Sequence, residues 1–256
     1  MKQIVQSVDR ALSILEALSD HNEGLGITEI AKGTNLHKST VYRLLTTLIF
    51  KDYVEQDLET NRYRLSMKLF ELGNKKIRDI DLLSISKPYT RELMESVNEV
   101  VHLVIRVGNN IIYIDKVDAN NTIRMASNIG RRSPLYCTSV GKAMMAFLSE
   151  DEVEKIWNTS EVKKQTDNTI MDLEGLKKEL KKISQLGYAE DDEENELGVR
   201  CIGAPVFNYR GEVEGAISIS GPTLRVTKEK VEEYGKKVKK YADLISKELG
   251  YMNITT

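Results

Sequence analysis

Apolar residues recur at helical spacing on both sides of a short polar turn between residues 27 and 51. They give one apolar face to each of two segments: Ile27, Ile30 and Ala31 in the first, and Val41, Leu44, Leu45 and Leu48 in the second. Residues 33–36 separate the segments, and their glycine and asparagine accept the left-handed backbone of a tight turn. The pattern predicts two short helices joined as a helix-turn-helix.

Hydrogen-bond donors dominate the outer face of the second helix. In a recognition helix, such side chains contact phosphates and base edges in the major groove. The candidates are Lys38, Ser39, Thr40, Tyr42, Arg43, Thr46 and Thr47, together with Thr28 of the first helix. An ordinary helical hairpin with a solvated polar face would show the same pattern. Four basic residues against one acidic residue between positions 28 and 51 favour DNA binding.

A helix before this segment and a β-hairpin after it complete the pattern of a winged helix-turn-helix. The helix, capped by Ser7, runs to about Ser19 with apolar residues at helical spacing. Two short β-prone runs follow the recognition helix, around a polar turn at 57–61. In the second run, Arg62 and Arg64 are candidate phosphate contacts, or merely solvated side chains of an exposed strand.

Helical and β-prone segments alternate through the rest of the chain. Residues 66–80 form a helix too small to be a domain, and its apolar side suggests packing on a partner subunit. From Asp81 onward, the pattern predicts an α+β domain with a mostly antiparallel sheet. The expected elements are a helix at 82–98 interrupted at Pro88, a hairpin at 100–117, a strand at 122–126, a loop at 128–136 and a helix at 142–149. A capping box at Ser149 starts the next helix, and a further helix is expected at 173–186. The chain then continues with an acidic loop at 190–196, strands at 201–209 and 212–220, and a helix at 227–249.

Composition and charge narrow the functional classes. The chain has 256 residues, 41% of them hydrophobic and 30% charged, which is typical of a soluble globular protein with one large or two modest domains. Its net charge of −2 means that any electrostatic support for nucleic-acid binding must be local. No apolar run reaches the length of a membrane span and the N-terminus lacks the apolar run of a signal peptide, so we expect a cytoplasmic protein without a membrane partner.

The two cysteines, Cys137 and Cys201, form no CxxC motif and have no clustered histidine partner. This excludes a zinc site of the common spacings and argues against a disulfide framework. Each cysteine lies among apolar residues in the sequence, so we expect buried, reduced thiols. No metal site and no cofactor are expected.

Three stretches of the second domain carry residues that bind ligands in other proteins. Residues 138–141 precede a helix, where backbone N–H groups and the helix dipole attract an anion, although many helix starts have this composition. The acidic run 190–196 lacks the spacing of a calcium loop, and a solvated loop explains it equally well. Ser218 and Ser220 share one face of a strand, where they line a cavity or face solvent. Without a GxSxG motif or a base near a nucleophile, an enzyme is the weaker class.

Six stretches, taken together, resemble the IclR-type family of bacterial transcriptional regulators: SVDRALSILEAL, GITEIAKGTNLHKSTVYRLLTTL, NRYRLSMKLFELG, IGRRSPLYCTSVGKAMMAFL, DDEENELGVRCIGAPVF and GAISISGP. The resemblance covers essentially the whole chain. It implies a winged helix-turn-helix DNA-binding domain at 1–66, a linker helix at 67–80, and a GAF-like effector-binding and oligomerisation domain at 81–256. It also implies dimers, or dimers of dimers, on palindromic operators, and small organic acids as effectors.

The same resemblance supplies an effector site and no catalytic residue. Carried over by motif, the site consists of Met125, Ser133, Ser139, Val140, Asp191, Val199, Cys201, Ser218 and Ser220. This sequence departs from some members at residues 133, 139 and 140, which leaves the size and polarity of the effector open. A helix start facing two serines favours a ligand with a carboxylate.

The expected function is therefore an effector-responsive repressor of a catabolic operon for a small organic acid, such as a 2-oxo acid, a sugar acid, glyoxylate or pyruvate. An activator of aromatic-acid or other carboxylate catabolism is the alternative within this class. An enzyme that kept a DNA-binding fold, and a dimeric partner-binding module with a vestigial pocket, are the alternatives outside it.

Overall fold

The chain divides into two units, Met1–Ile80 and Asp81–Thr256. The computed structural model describes residues 4–77, 82–121 and 127–252, without the side chains of 73–77. The first unit contains, in chain order, helices α1 (Gln6–Ser19), α2 (Ile27–Gly33) and α3 (Lys38–Phe50), strands β1 (Val54–Gln56) and β2 (Tyr63–Leu65), and helix α4 (Lys68–Ile77).

The first unit is a winged helix-turn-helix, as the sequence predicts. Helices α1, α2 and α3 bury their apolar faces in one core, which the hairpin β1–β2 closes. Asn35 adopts a φ of 52° in the turn between α2 and α3, and Ala31 keeps a small side chain beside this turn. The predicted cap of α1 is wrong, because α1 begins at Gln6, before Ser7, and has no side-chain cap.

An isolated β-bridge joins the hairpin to the segment just before α2. The N–H of Leu25 donates to the Tyr63 carbonyl over 2.9 Å, and the N–H of Tyr63 donates to the Leu25 carbonyl over 2.8 Å. Gly24 precedes this bridge with a φ of 73°, and a Cβ there would lie 2.6 Å from the Tyr63 carbonyl oxygen. Only glycine fits this position without strain.

The second unit is an α+β domain. It contains α5 (Leu82–Val97), β3 (Val100–Val107), β4 (Asn110–Val117), β5 (Arg132–Pro134), α6 (Ser139–Met145), α7 (Glu150–Thr159), α8 (Leu173–Leu186), β6 (Ala189–Asp192), β7 (Val199–Phe207), β8 (Val213–Pro222), a short 3₁₀ helix (Lys228–Lys230) and α9 (Val231–Glu248). The described strands form a six-stranded sheet in the order β5-β4-β3-β8-β7-β6, and each neighbouring pair is antiparallel.

Helices cover both faces of this sheet. Gly203 of β7 faces α6, since a Cβ at this position would lie 2.9 Å from the Val140 nitrogen. On the other face, Gly215 of β8 approaches Leu82 of α5, and α9 packs beside α5. The α6 face of the sheet holds the candidate effector site, and the glycine at 203 allows α6 to lie directly on the strand.

Three local predictions for the second unit differ from the structure, and a fourth falls outside the described residues. Helix α5 continues through Pro88, because Ser86, Thr90 and Leu93 keep one buried face on both sides of it. The expected loop at 128–136 contains strand β5, which pairs with β4. Helix α6 begins at residue 139 rather than 142 and ends at 145, and the predicted strand at 122–126 lies outside the described residues.

The acidic run is also half strand rather than loop. Residues 189–192 form β6, which pairs with β7 so that Asp191 lies opposite Cys201. The guanidinium of Arg200 explains how this strand tolerates its charges, because it binds Glu190 over 3.1 Å and also pairs with Asp192. The alternation of the strand therefore sends two carboxylates to Arg200 and the third to the opposite face.

Candidate functional site

Helix α3 presents the predicted DNA-contacting side chains on its outer face. Val41, Leu45 and Leu48 are buried, so the helix is fixed to the core along its inner side. The candidate side chains lie opposite: Lys38, Ser39, Tyr42, Arg43 and Thr46 are exposed, as is Thr28 of α2, and Thr40 is half-buried. This geometry is that of a recognition helix, and the individual contacts to bases and phosphates stay predictions.

The two wing arginines already have partners within the first unit. The Nε of Arg62 donates to the Gly24 carbonyl over 3.1 Å, and its Nη2 lies 3.1 Å from Glu29 Oε2. Arg64 pairs with Glu55 across the hairpin at 2.6 Å. Both guanidinium groups remain partly exposed, so their predicted contacts to phosphate stay predictions, with each arginine engaged by a carboxylate in this structure.

The strand register brings most of the predicted effector residues onto the α6 face of the sheet. Cys201 lies opposite Asp191 on one side and Ser220 on the other, and Ser218 lies opposite Gly203. Residues directly opposite in antiparallel strands share a face, so these side chains form one polar layer across β6, β7 and β8.

The beginning of α6 covers this polar layer. Gly203 is the point of closest approach, where a Cβ would lie 3.1 Å from Ser139 Oγ and 2.9 Å from the Val140 nitrogen. Ser139 and Val140 are both buried there. Of the other predicted residues, Val199 is half-buried two positions before Cys201, Ser133 is buried on β5, and Met125 lies outside the described residues.

Asp191 is the carboxyl group of the layer. It is 3% exposed, and its Oδ1 accepts hydrogen bonds from the backbone N–H groups of Glu194, over 2.7 Å, and Asn195, over 3.2 Å. Burial, followed by the nearby charge of Glu194, raises the pKa of Asp191 from 3.8 to about 7. The group therefore holds its proton more tightly than an ordinary aspartic acid, and near neutral pH it can donate as well as accept.

A buried ion pair lies next to Asp191, and the sequence interpretation missed it. Lys142 of α6 is completely buried and pairs with Glu194, while the other carboxylate oxygen of Glu194 has no hydrogen-bond partner among the described residues. Burial raises the pKa of Glu194. The only available signal was a single lysine in the otherwise apolar helix sequence after Gly141.

His102 and Tyr113 also belong to this face and were missed. His102 lies opposite Ser218 in the β3–β8 pair and packs edge-on against the Tyr113 ring at 5.0 Å. Burial lowers the pKa of His102 to about 3 and raises that of Tyr113 to about 12, and Tyr113 hydrogen-bonds to Ser133. Both rings are therefore neutral at physiological pH.

The cysteines differ in their surroundings. Cys137 lies in the apolar core beside α6, and burial raises the pKa of its thiol to about 12. Cys201 lies in the polar layer between Asp191 and Ser220, where burial raises the pKa of its thiol still further. Both are free thiols, and Cys137 is buried as predicted, whereas Cys201 is only partly buried and the apolar setting predicted for it is wrong.

Across residues 4–77, 82–121 and 127–252, no helix has the length and apolar content of a bilayer span. The same described residues hold no cluster of three or more histidine, cysteine or acidic side chains placed to bind a metal ion.

Comparison with known proteins assigns both units of the chain to one family. A family model described as the IclR helix-turn-helix domain matches residues 7–58, and one described as the bacterial transcriptional regulator IclR C-terminal domain matches residues 74–247. The regulator KdgR of Escherichia coli is 41% identical over 96% of this chain and 94% of its own length. The transcriptional repressor IclR of Escherichia coli is 35% identical over 97% of this chain and 91% of its own.

A solved structure gives the same result. The crystal structure of the Thermotoga maritima IclR is 35% identical, covers 96% of this chain and 99% of its own, and has a TM-score of 0.65. The family models together span most of the chain, and they describe a DNA-binding domain followed by the family's effector domain. The chain belongs to the IclR family of DNA-binding transcriptional regulators and is not an enzyme.

Proposed function

We propose that this regulator is an effector-responsive repressor of genes for the catabolism of a small organic acid. The observation that carries the proposal is the buried polar layer of Asp191, Ser218 and Ser220 beneath the start of α6. A similar protein, the IclR of Escherichia coli, bears the name transcriptional repressor, which supports repression as the sign of regulation.

The chemistry of the layer suits a small acid with oxygen atoms at several positions. Hydroxyl groups of Ser139, Ser218 and Ser220 supply hydrogen-bond donors, and all three side chains are buried. Asp191, with its pKa raised to about 7, can donate to a ligand oxygen or accept from a ligand hydroxyl group. The class comprises 2-oxo acids, sugar acids, glyoxylate and pyruvate.

The regulator acts as a homodimer on a palindromic operator, with dimers of dimers as the larger assembly. Two recognition helices related by a twofold axis read half-sites about 34 Å apart. Exposed apolar side chains support self-association: Val8 and Leu12 on α1, and Met67 and Phe70 at α4, all lie on the surface of the first unit. Burying them in a second copy removes apolar area from water.

Effector binding shifts the population between two states with different affinity for the operator. The acid binds one state more tightly, and the spacing of the two recognition helices changes with the state. A useful shift requires a difference of roughly 1–3 kcal/mol, which changes operator affinity by about 5- to 150-fold.

Operator affinity with and without acid tests this function. A binding sequence is first selected from a pool of random duplex DNA, and its affinity is then measured alone and with glyoxylate, pyruvate or D-gluconate. We expect at least one acid to weaken operator binding by about 5- to 150-fold, and Ser220→Ala to remove this response. If no acid changes the affinity, the proposed effector class is wrong.

Two variants show whether the selected DNA is read by α3. Arg43→Ala should weaken operator binding by about 1–3 kcal/mol and relax the preferred sequence, because a base contact is lost. Arg91→Ala is the matched control, since Arg91 is an exposed arginine in the second unit. Unchanged operator affinity in Arg43→Ala would show that α3 is not the helix that contacts the operator bases.

A further inference from the structure

His102 connects two hydroxyl groups on the α6 face of the sheet. Its Nε2 lies 2.7 Å from Ser127 Oγ, and its Nδ1 lies 3.3 Å from Ser220 Oγ. The imidazole is 3% exposed and is held edge-on by the Tyr113 ring. Ser220 in turn lies 3.5 Å from Ser218, oxygen to oxygen. The histidine therefore contacts one of the serines assigned to the effector site and bridges it to Ser127.

A neutral imidazole has one donor nitrogen and one acceptor nitrogen. Burial, with Lys116 as the next cause, lowers the pKa of His102 to about 3, so the ring stays neutral throughout the physiological range. One of its two serine partners must then donate to the ring, while the other must accept from it. His102 thus imposes opposite roles on Ser127 and Ser220.

The two distances differ in the way expected for one particular tautomer. Hydroxyl donors form shorter hydrogen bonds than N–H donors, with modes of about 2.7–2.8 Å against about 2.9–3.0 Å. The 2.7 Å contact at Nε2 fits a Ser127 hydroxyl that donates to the ring. The other nitrogen, Nδ1, then carries the ring proton and faces Ser220 Oγ over 3.3 Å as the donor.

We propose that His102 is a positioning residue of the effector site: it donates from Nδ1 to Ser220 and so directs the Ser220 hydroxyl proton away from the ring. The inference rests on the proposed effector site and specifies which kind of ligand atom binds at Ser220. With one lone pair of Ser220 taken by the ring N–H, the hydroxyl proton of Ser220 points away from the ring and can be donated to a ligand. The ligand atom that receives this proton is an acceptor oxygen, from a carboxylate or a carbonyl group.

The tautomer of His102 can be measured without any effector. In the full-length protein with ¹⁵N-labelled histidine, two-bond correlations distinguish a protonated Nδ1 from a protonated Nε2. The His102→Gln variant identifies the His102 signals among those of His21 and His37. We expect the Nδ1–H form in the wild type and a loss of this preference in Ser127→Ala, while Ser13→Ala, on α1, leaves it unchanged. An Nε2–H form in the wild type would overturn the proposal.

Two substitutions separate the contacts of the ring. The amide of Asn at position 102 reaches the place of Nδ1 and can still donate to Ser220, whereas the amide of Gln reaches the place of Nε2 and contacts only Ser127. Binding of pyruvate and of D-gluconate is measured for both variants by thermal shift and titration. We expect His102→Asn to bind nearly as the wild type does, and His102→Gln to bind about 3- to 10-fold more weakly, because one hydrogen bond is lost.

A double-mutant cycle distinguishes positioning from a general loss of packing. In the Ser220→Ala background, His102→Gln should weaken acid binding no further, since the contact through which it acts is already absent. Equal losses in both backgrounds, or equal binding by the Asn and Gln variants, would contradict the proposal. If neither acid binds the wild type, the proposed effector class fails, while the imidazole spectrum still decides the role of His102.

Discussion

At the scale of single residues, Asp191 ties the stability of the second unit to pH. Its pKa rises from 3.8 in an ordinary environment to about 7, mainly through burial. Between these two values the folded chain retains a proton that the unfolded chain releases. The contribution of Asp191 to the stability is therefore fully present below about pH 4 and is lost as the pH rises toward 7.

The variant Asp191→Asn should lack this part of the pH dependence. Its amide oxygen can still accept from the N–H of Glu194, but it carries no titrating proton. Urea unfolding followed by the fluorescence of Trp157, the one tryptophan, measures the effect. Between pH 4 and 7, the wild type should lose stability relative to Asp191→Asn by up to about 1.4 kcal/mol for each pH unit.

A matched control uses an aspartate on the surface of the same unit. Asp151 is exposed on α7, so Asp151→Asn should keep the slope of the wild type. Parallel curves for the wild type and Asp191→Asn would show that Asp191 ionises normally in the folded protein, and would remove the physical basis for its raised pKa.

The residue scale is also where the sequence alone was least informative. Ser220 and the acidic run around Asp191 were candidates from the sequence itself, but only a family resemblance assigned them to an effector site, because a charge run and a strand serine each have ordinary solvent-exposed explanations. His102 and Lys142 were not identified even through the family resemblance. Their roles depend on burial and on partners more than 50 positions away in the chain, at Ser220 and Glu194 respectively, which no local pattern encodes.

At the scale of elements, the wing and the recognition helix should differ in how their charges meet DNA. Lys38 begins α3 on its exposed face, whereas the guanidinium of Arg62 is held by Gly24 and Glu29. Binding constants for DNA fall linearly with salt concentration when both are plotted as logarithms. Lys38→Ala should make this slope shallower by about one unit, because one fewer counterion is released. Arg62→Ala should leave the slope nearly unchanged.

The measurement is a series of DNA affinities at increasing salt concentration, plotted as logarithms. Arg64→Ala serves as the second wing variant, because Arg64 pairs with Glu55 in the same way. A loss of one full unit of slope in Arg62→Ala would mean that Arg62 leaves Glu29 to bind a phosphate, and the wing would then be a direct DNA contact.

Elements with strong local signals were predicted well, and those decided by tertiary packing were not. Helices α2 and α3 and the hairpin follow from periodicity and turn residues close in sequence. The continuation of α5 through Pro88 depends instead on a buried face that spans the proline. Strand β6 likewise depends on Arg200, which neutralises two carboxylates from the neighbouring strand.

At the scale of the whole molecule, self-association is the expectation that the surface of the first unit supports. Leu12 is 53% exposed on α1, in line with Val8 one turn earlier. Leu12→Lys should weaken a dimer at least about tenfold, since each copy loses a buried leucine worth about 1.5–3 kcal/mol. Sedimentation across a range of protein concentrations gives the dissociation constant.

The control is another exposed leucine of the same unit. Leu58, in the turn of the hairpin, is 86% exposed and lies outside α1 and α4. Leu58→Lys should sediment as the wild type does. Dissociation by both variants, or by neither, would exclude α1 as the surface through which two copies associate.

The bridge between Leu25 and Tyr63 has a consequence for the DNA that this protein can accept. It fastens the start of the helix-turn-helix to the hairpin through a reciprocal pair of backbone hydrogen bonds, beside a glycine that packs against the Tyr63 carbonyl. Helix α3 and the wing are therefore held at one fixed spacing. A base pair inserted into the half-site would move any contact of the wing away from its position, whatever the inserted sequence.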